Sequence, residues 1–166
     1  MKIPLLALLL SLPLVAEEAS SISAMKSAAA SFLGSLDETQ RVKASFPFEG
    51  DARENFRFTP QTRTGLPLKE MSETQRAAAM KLLESALSDK GRLKAMQVIT
   101  LESVLATLEK RPDYRDSGKY YVSIFGKPGD EKAWGWKFEG HHLALNYTVV
   151  GGHPAAAVRV VGREIR

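Results

Sequence analysis

The sequence predicts an α+β domain: N-terminal helices with a central antiparallel helix pair, packed on a small antiparallel β-sheet built from a hairpin and a third strand. Three observations lead there. Apolar residues recur at helical spacing through most of the first 110 positions. Two of these helical stretches are joined by the short turn Ser88-Asp89-Lys90-Gly91, which makes them antiparallel neighbours. From Lys119 onward, aromatic and aliphatic residues alternate at the period of a strand. At 166 residues, with 44% hydrophobic and 25% charged side chains, the chain can bury one core without staples. It has no cysteine, which excludes disulfides, thiolate catalysis and thiolate metal ligation.

Residues 1–16 read as a signal peptide. Lys2 supplies the positive start, and Ile3 to Ala16 form an uncharged apolar run that Glu17 and Glu18 end abruptly. The run is shorter than the roughly 20 residues a membrane helix needs. Cleavage is expected after Ala16, leaving a secreted or periplasmic chain with no stable membrane span; the alternatives are an uncleaved anchor or a buried helix. Residues 17–150 then make a single domain.

Within it, Met25, Ala29, Phe32 and Leu33 mark a helix over Ser20–Leu36. Ser35 with Glu38 resembles a capping box that opens a short second helix. Asn55-Phe56-Arg57-Phe58 suggests a short strand inside an otherwise irregular segment from Glu49 to Gly65. Ser72 with Gln75 caps a third helix, with Met80, Leu83 and Leu87 on one face beside Ala79 and Ala86. The next helix, Leu93 to Lys110, carries so wide an apolar stripe that it is expected to be the central, most buried one. Lys119–Phe125 is a strand with apolar residues on both faces. After a Gly126–Asp130 turn, Trp134, Trp136 and Phe138 alternate with Gly135, Lys137 and Glu139, as in a strand with one buried face. Leu143, Leu145, Tyr147 and Val149 mark a third strand. Its apolar positions are odd where those of the previous strand are even, so a bulge or tight bend is expected at Gly140-His141.

The formal charge of +4 overstates the body of the domain. Lys2 leaves with the signal, and Arg159–Arg166 carries three Arg and one Glu. About one positive charge remains, with no concentrated basic face, so no nucleic-acid partner is expected.

The usual nucleotide, hydrolase and zinc-protease motifs are missing. One segment stands out: Trp134 to Asn146 holds both tryptophans and two of the three histidines. Imidazoles are common metal ligands and acid–base groups near neutral pH. On an extended strand Glu139 and His141 share a face at about 6.6 Å, close enough for one metal or for a base and its orienting carboxylate. His141 and His142 would point to opposite faces, and His142 and Asn146 would be about 13 Å apart. A bulge at Gly140 would relax these limits. The candidate catalytic and metal-ligating residues are therefore Glu139, His141 and His142, with Trp134, Trp136 and Asn146 as the wall of a pocket. The bland alternative is that the histidines bond backbone and the tryptophans are core. Lesser candidates are His153, an Asn146-Tyr147-Thr148 glycosylation triplet, and an anion-binding cluster of Arg53, Arg57 and Arg63.

Phe46-Pro47-Phe48, Gly65-Leu66-Pro67-Leu68-Lys69-Glu70-Met71, Tyr120-Tyr121, Phe125-Gly126 and above all Trp134-Gly135-Trp136-Lys137-Phe138-Glu139-Gly140-His141-His142-Leu143 resemble the family catalogued as domain of unknown function 3500. The resemblance runs from about Ala28 to Val149. It implies a longer domain, of which this chain holds the N-terminal half, with an Asn-His-x-His pattern in the second half meeting His141 and His142. A zinc-like divalent metal and metal-assisted hydrolysis would follow in the complete protein. Two departures weigh against this here. Arg57 stands where the family pattern leads one to expect His, and residues 151–166 do not resemble the continuation and read as an atypical, frameshifted tail. The readings carried forward are a secreted metal-dependent hydrolase-like site on Glu139, His141 and His142, a non-catalytic secreted binding or structural module, and a non-functional truncated fragment.

Overall fold

The computed structural model of the chain describes residues 12–57 and 59–160, apart from the side chains of 12–19 and 156–160. Residues 1–11 of the expected signal segment lie outside the described residues. Among the described residues four α-helices, α1 (Leu12–Ser35), α2 (Glu38–Ala44), α3 (Glu73–Glu84) and α4 (Asp89–Glu109), combine with six strands, β1 (Ser45–Phe46), β2 (Leu66–Pro67), β3 (Tyr121–Phe125), β4 (Ala133–Glu139), β5 (Leu143–Val150) and β6 (His153–Val160). The fold is α+β, as expected. Among the described residues no helix is long and apolar enough to cross a membrane.

The sheet is larger than expected, and mixed. β3 to β6 form an antiparallel meander in chain order. The far side of β3 takes β1 in parallel and β2 antiparallel. β6 pairs with β5 from Val150↔His153 to Leu143↔Val160, so the sheet runs on past residue 150.

Register divides the sheet into two faces. Val122, Phe138 and Leu145 align across three strands, as do Ile124, Trp136 and Tyr147. This face packs on the helices and forms the core with Met25, Ala29 and Phe32 of α1 and Ala79, Leu82 and Leu83 of α3. The Trp136 and Tyr147 rings stack with centroids 4.8 Å apart. The opposite face carries Tyr121, Ser123, Lys137, Glu139 and Asn146. It was expected to meet solvent, yet β4 is buried on both faces from Trp134 to Glu139. The irregular segment 49–65 roofs it.

That roof corrects one expected strand. Asn55–Arg57 is not a strand, and Phe58 lies outside the described residues. The backbone carbonyls there are claimed by side chains: Lys137 Nζ donates to Ala52 and Asn55, and Arg63 donates to Arg57, Thr59 and Gln61. With acceptors used this way, no ladder forms.

The capping box of α3 is as expected, Ser72 with Gln75. That of α2 is shifted: Asp37, not Ser35, accepts from Gln40 N–H, and the Gln40 side chain accepts from Asp37 N–H. Ser35 instead donates to Phe32 O at 2.7 Å.

The largest correction concerns α4. Ser88 caps it, so it starts before Leu93. It is peripheral rather than central. Only Ala95, Ile99 and Glu102 are buried, while Leu93, Met96, Leu101, Val104 and Leu108 are exposed. α3 packs chiefly on α1, and α4 rests against β5. The wide apolar stripe thus covers two opposite faces of α4, of which one meets the core.

Candidate functional site

The phase switch between β4 and β5 is a tight turn. Glu139 and Ala144 are the last paired residues, and Gly140 N–H donates to Leu143 O at 2.8 Å. His142 takes a left-handed backbone, φ 60°, which a residue with a Cβ seldom adopts. Gly140 is required by packing: a Cβ there would sit 2.2 Å from the Tyr120 ring. That ring stacks on Phe138, and its hydroxyl donates to His141 O at 2.9 Å, which holds the turn against β3.

The turn changes what the histidines can do. On an extended strand they would point apart; here their rings face each other with centroids 3.7 Å apart. His141 is buried and its Nδ1 pairs with the Glu102 carboxylate of α4. Arg115, on the connection after α4, places Nη1 3.0 Å from Nδ1 and 3.2 Å from Nε2. The tautomer that satisfies both partners has Nδ1–H donating to Glu102 and Nε2 accepting from Arg115. Burial lowers the His141 pKa below the ordinary 6.5, partly opposed by the hydrogen bond to Glu102. Arg115 is itself held by Glu109 through two bonds of 2.8 and 2.9 Å, which raise its pKa. Among the described residues His142 Nδ1 is buried without a hydrogen-bond partner.

Glu139 belongs to a different environment. Its carboxylate takes Lys137 Nζ at 2.8 Å beneath the 49–65 roof and faces Arg63 Nε of the roof itself at 3.6 Å. Burial raises its pKa, partly offset by Lys137 and Arg63. Arg63 also donates to Gly140 O at 2.9 Å, tying the roof to the turn. Asn146 lies on this face too, donating to Arg53 O at 2.5 Å. The three arginines do not gather around an anion: Arg63 is spent on carbonyls, Arg53 pairs with Glu54, and Arg57 is exposed.

Trp134 and Trp136 are each 1% exposed and belong to the core. Trp134 does border a cleft of about 370 Å³ with Lys26 of α1 and Asp130, but at the opposite end of β4 from the histidines. His153 is exposed on β6.

The described residues do not fit a metal. No three His, Asp or Glu side chains among them gather to hold an ion. The expected trio is divided: Glu139 is held between Lys137 and Arg63 of the roof, whereas His141 faces Glu102 and the cation of Arg115. An Arg cation where a metal would sit argues against that set.

Glu102 and Arg115 were not among the sequence candidates. Glu102 left one trace: it follows Ala95 and Ile99 at helical spacing, a carboxylate on the one stripe of α4 that turns inward. Arg115 left none, because its connection has no periodicity.

A family model described as "Protein of unknown function (DUF3500)" matches residues 18–163, extending past Val149, where the motif resemblance stops. No curated protein and no solved structure matches the chain.

Proposed function

The chain belongs to the DUF3500 family, and from the β4–β5 turn we propose that it is a secreted or periplasmic hydrolase-like protein with His141 as its acid–base group. One observation carries this reading: a buried carboxylate, Glu102, holds Nδ1 of an imidazole whose Nε2 faces a guanidinium. A carboxylate so placed orients the ring and stabilises the imidazolium formed when Nε2 accepts a proton. The lowered pKa keeps the ring neutral, and so able to act as a base, at neutral pH. Arg115 must leave Nε2 for water and substrate to approach, and it would then hold an anionic oxygen of the substrate.

The test is hydrolysis of chromogenic carboxylic and phosphoric esters by the purified chain. Glu102→Gln and His141→Gln should each slow it by about 10²–10⁴-fold with far-UV circular dichroism unchanged. Equal rates for wild type and His141→Gln would overturn the proposal. A metal-dependent form, with a zinc-like ion on His141, His142 and Glu139, has less support, because Lys137 and Arg63 hold Glu139.

Export is supported by the apolar run Ile3–Ala16 ahead of a family match that begins at residue 18. N-terminal sequencing of exported protein should read from Glu17. Protein that keeps Met1 and stays in the cell would contradict export.

A second reading, a non-catalytic secreted binding or structural module, draws on the burial of both tryptophans and on Arg115 covering His141. There His141→Gln would change stability by about 0.5–3 kcal/mol and no activity would be lost.

A further inference from the structure

We propose that His142 is a substrate-binding residue of the His141 site, with its Nδ1–H donating to an oxygen of the bound ester; this rests on the hydrolase-like reading of His141. Two unfavourable features meet at His142. The first is its backbone. His142 is the second of the two residues between Gly140 and Leu143, which close the turn through Gly140 N–H and Leu143 O, and its φ is 60°. That place in a tight turn favours Gly or Asn, because a Cβ is crowded there. The second is its side chain. Nδ1 is buried with no hydrogen-bond partner among the described residues, and an unpaired buried nitrogen is itself destabilising. Gly at position 142 would remove both features at once. Folding therefore gives no reason for an imidazole here, and strained or unpaired groups of this kind collect where a ligand is held.

The surroundings set the chemistry. The His142 ring lies against that of His141, with centroids 3.7 Å apart and planes tilted by 37°. Both nitrogens of His141 are engaged, Nδ1 by Glu102 and Nε2 by Arg115 Nη1 at 3.2 Å. Nδ1 of His142 is left for what enters when Arg115 moves off His141. An ester turns only acceptor oxygens toward the site, so the nitrogen that meets one must carry a hydrogen, which assigns the Nδ1–H tautomer to His142. When water adds to the ester carbon, its proton passes to His141 Nε2 and the electron pair of the C=O bond moves onto the carbonyl oxygen. His142 Nδ1–H donates to that oxygen as its charge develops, beside the guanidinium of Arg115.

Two variants separate this role from a structural one. His142→Gly relieves the backbone and loses the donor. His142→Asn tolerates the left-handed backbone and sets an amide N–H close to where Nδ1 stands. Against chromogenic esters, kcat/KM should fall by about 10²-fold in His142→Gly and stay within about tenfold of wild type in His142→Asn. The thermal midpoint of His142→Gly should meanwhile rise by about 2–4 °C. Equal kcat/KM for wild type and His142→Gly, with His141→Gln inactive, would overturn this proposal and leave the reading of His141 intact. If wild type cleaves no ester, the hydrolase-like reading fails, and inorganic phosphate tests the binding role without turnover. Phosphate should then shift the His142 ring ¹⁵N resonance saturably and bind about tenfold more weakly to His142→Gly. A His142 resonance that ignores phosphate, in a protein that cleaves no ester, would overturn both.

Discussion

The His141 imidazole and the Glu102 carboxylate are paired through Nδ1 although 39 residues separate them in the chain. The pair joins the β4–β5 turn to α4, and its two members answer differently to substitution. Glu102→Gln keeps the shape and can still accept from Nδ1–H, but it no longer stabilises an imidazolium. Nuclear magnetic resonance titration should therefore show the His141 pKa lower still in Glu102→Gln, since Glu102 is the group that raises it. An unchanged titration would mean that the two are not paired in solution.

The lowered His141 pKa also sets a pH dependence. In the unfolded chain the ring takes up a proton near 6.5, whereas the folded chain resists it to lower pH. The stability contribution is thus fully present above pH 6.5 and is lost as pH falls through the folded value. Glu139 has the opposite sign: its folded pKa is raised above 4.5, so its contribution is present below 4.5 and lost as pH rises through the raised value. Urea midpoints against pH for wild type and His141→Gln should converge toward acid, with the variant curve the flatter below pH 6.5. Parallel curves would contradict the assignment.

Lys137 and Glu139 form a buried pair that also fastens the roof. Lys137→Met strands the carboxylate and frees the carbonyls of Ala52 and Asn55. A loss of about 3–5 kcal/mol is expected, with Lys137→Met/Glu139→Leu recovering most of it. Limited proteolysis should cut within 49–65 in the single variant before anywhere else.

Gly140→Ala drives a methyl group into the Tyr120 ring. Moving that ring pulls its hydroxyl from His141 O. A loss of about 1–3 kcal/mol in urea unfolding is expected, with the His141 resonances displaced.

Lys110 closes α4 with a left-handed backbone, φ 53°, on an exposed residue. Lys110→Gly removes the Cβ conflict and should raise stability by about 1 kcal/mol. A fall in thermal midpoint would show that the Lys110 side chain contributes more than its backbone costs.

Much of the local structure was legible. The alternation of Trp134, Trp136 and Phe138, and of Leu143, Leu145, Tyr147 and Val149, marked two strands, and the change of phase between them marked the turn that holds both histidines. The Ser72 and Gln75 cap was equally plain. These signals are local: they depend on backbone period and on bonds spanning a few residues.

What lay beyond them was decided by tertiary structure. Apolar spacing shows that α4 has hydrophobic faces, but not which one meets the core, because the chain's own helices and sheet choose the partner. Glu102 becomes half of a buried pair only when α4 crosses the β4–β5 turn. Lys137 and Glu139, which read as the polar side of a strand, are buried because an irregular segment with no period of its own closes over them. Local periodicity marked the longer helices, β4, β5 and the turn between them; the packing of distant segments set which charges meet, since desolvation and ion pairing depend on what stands beside a group in space and not on its neighbours in the chain.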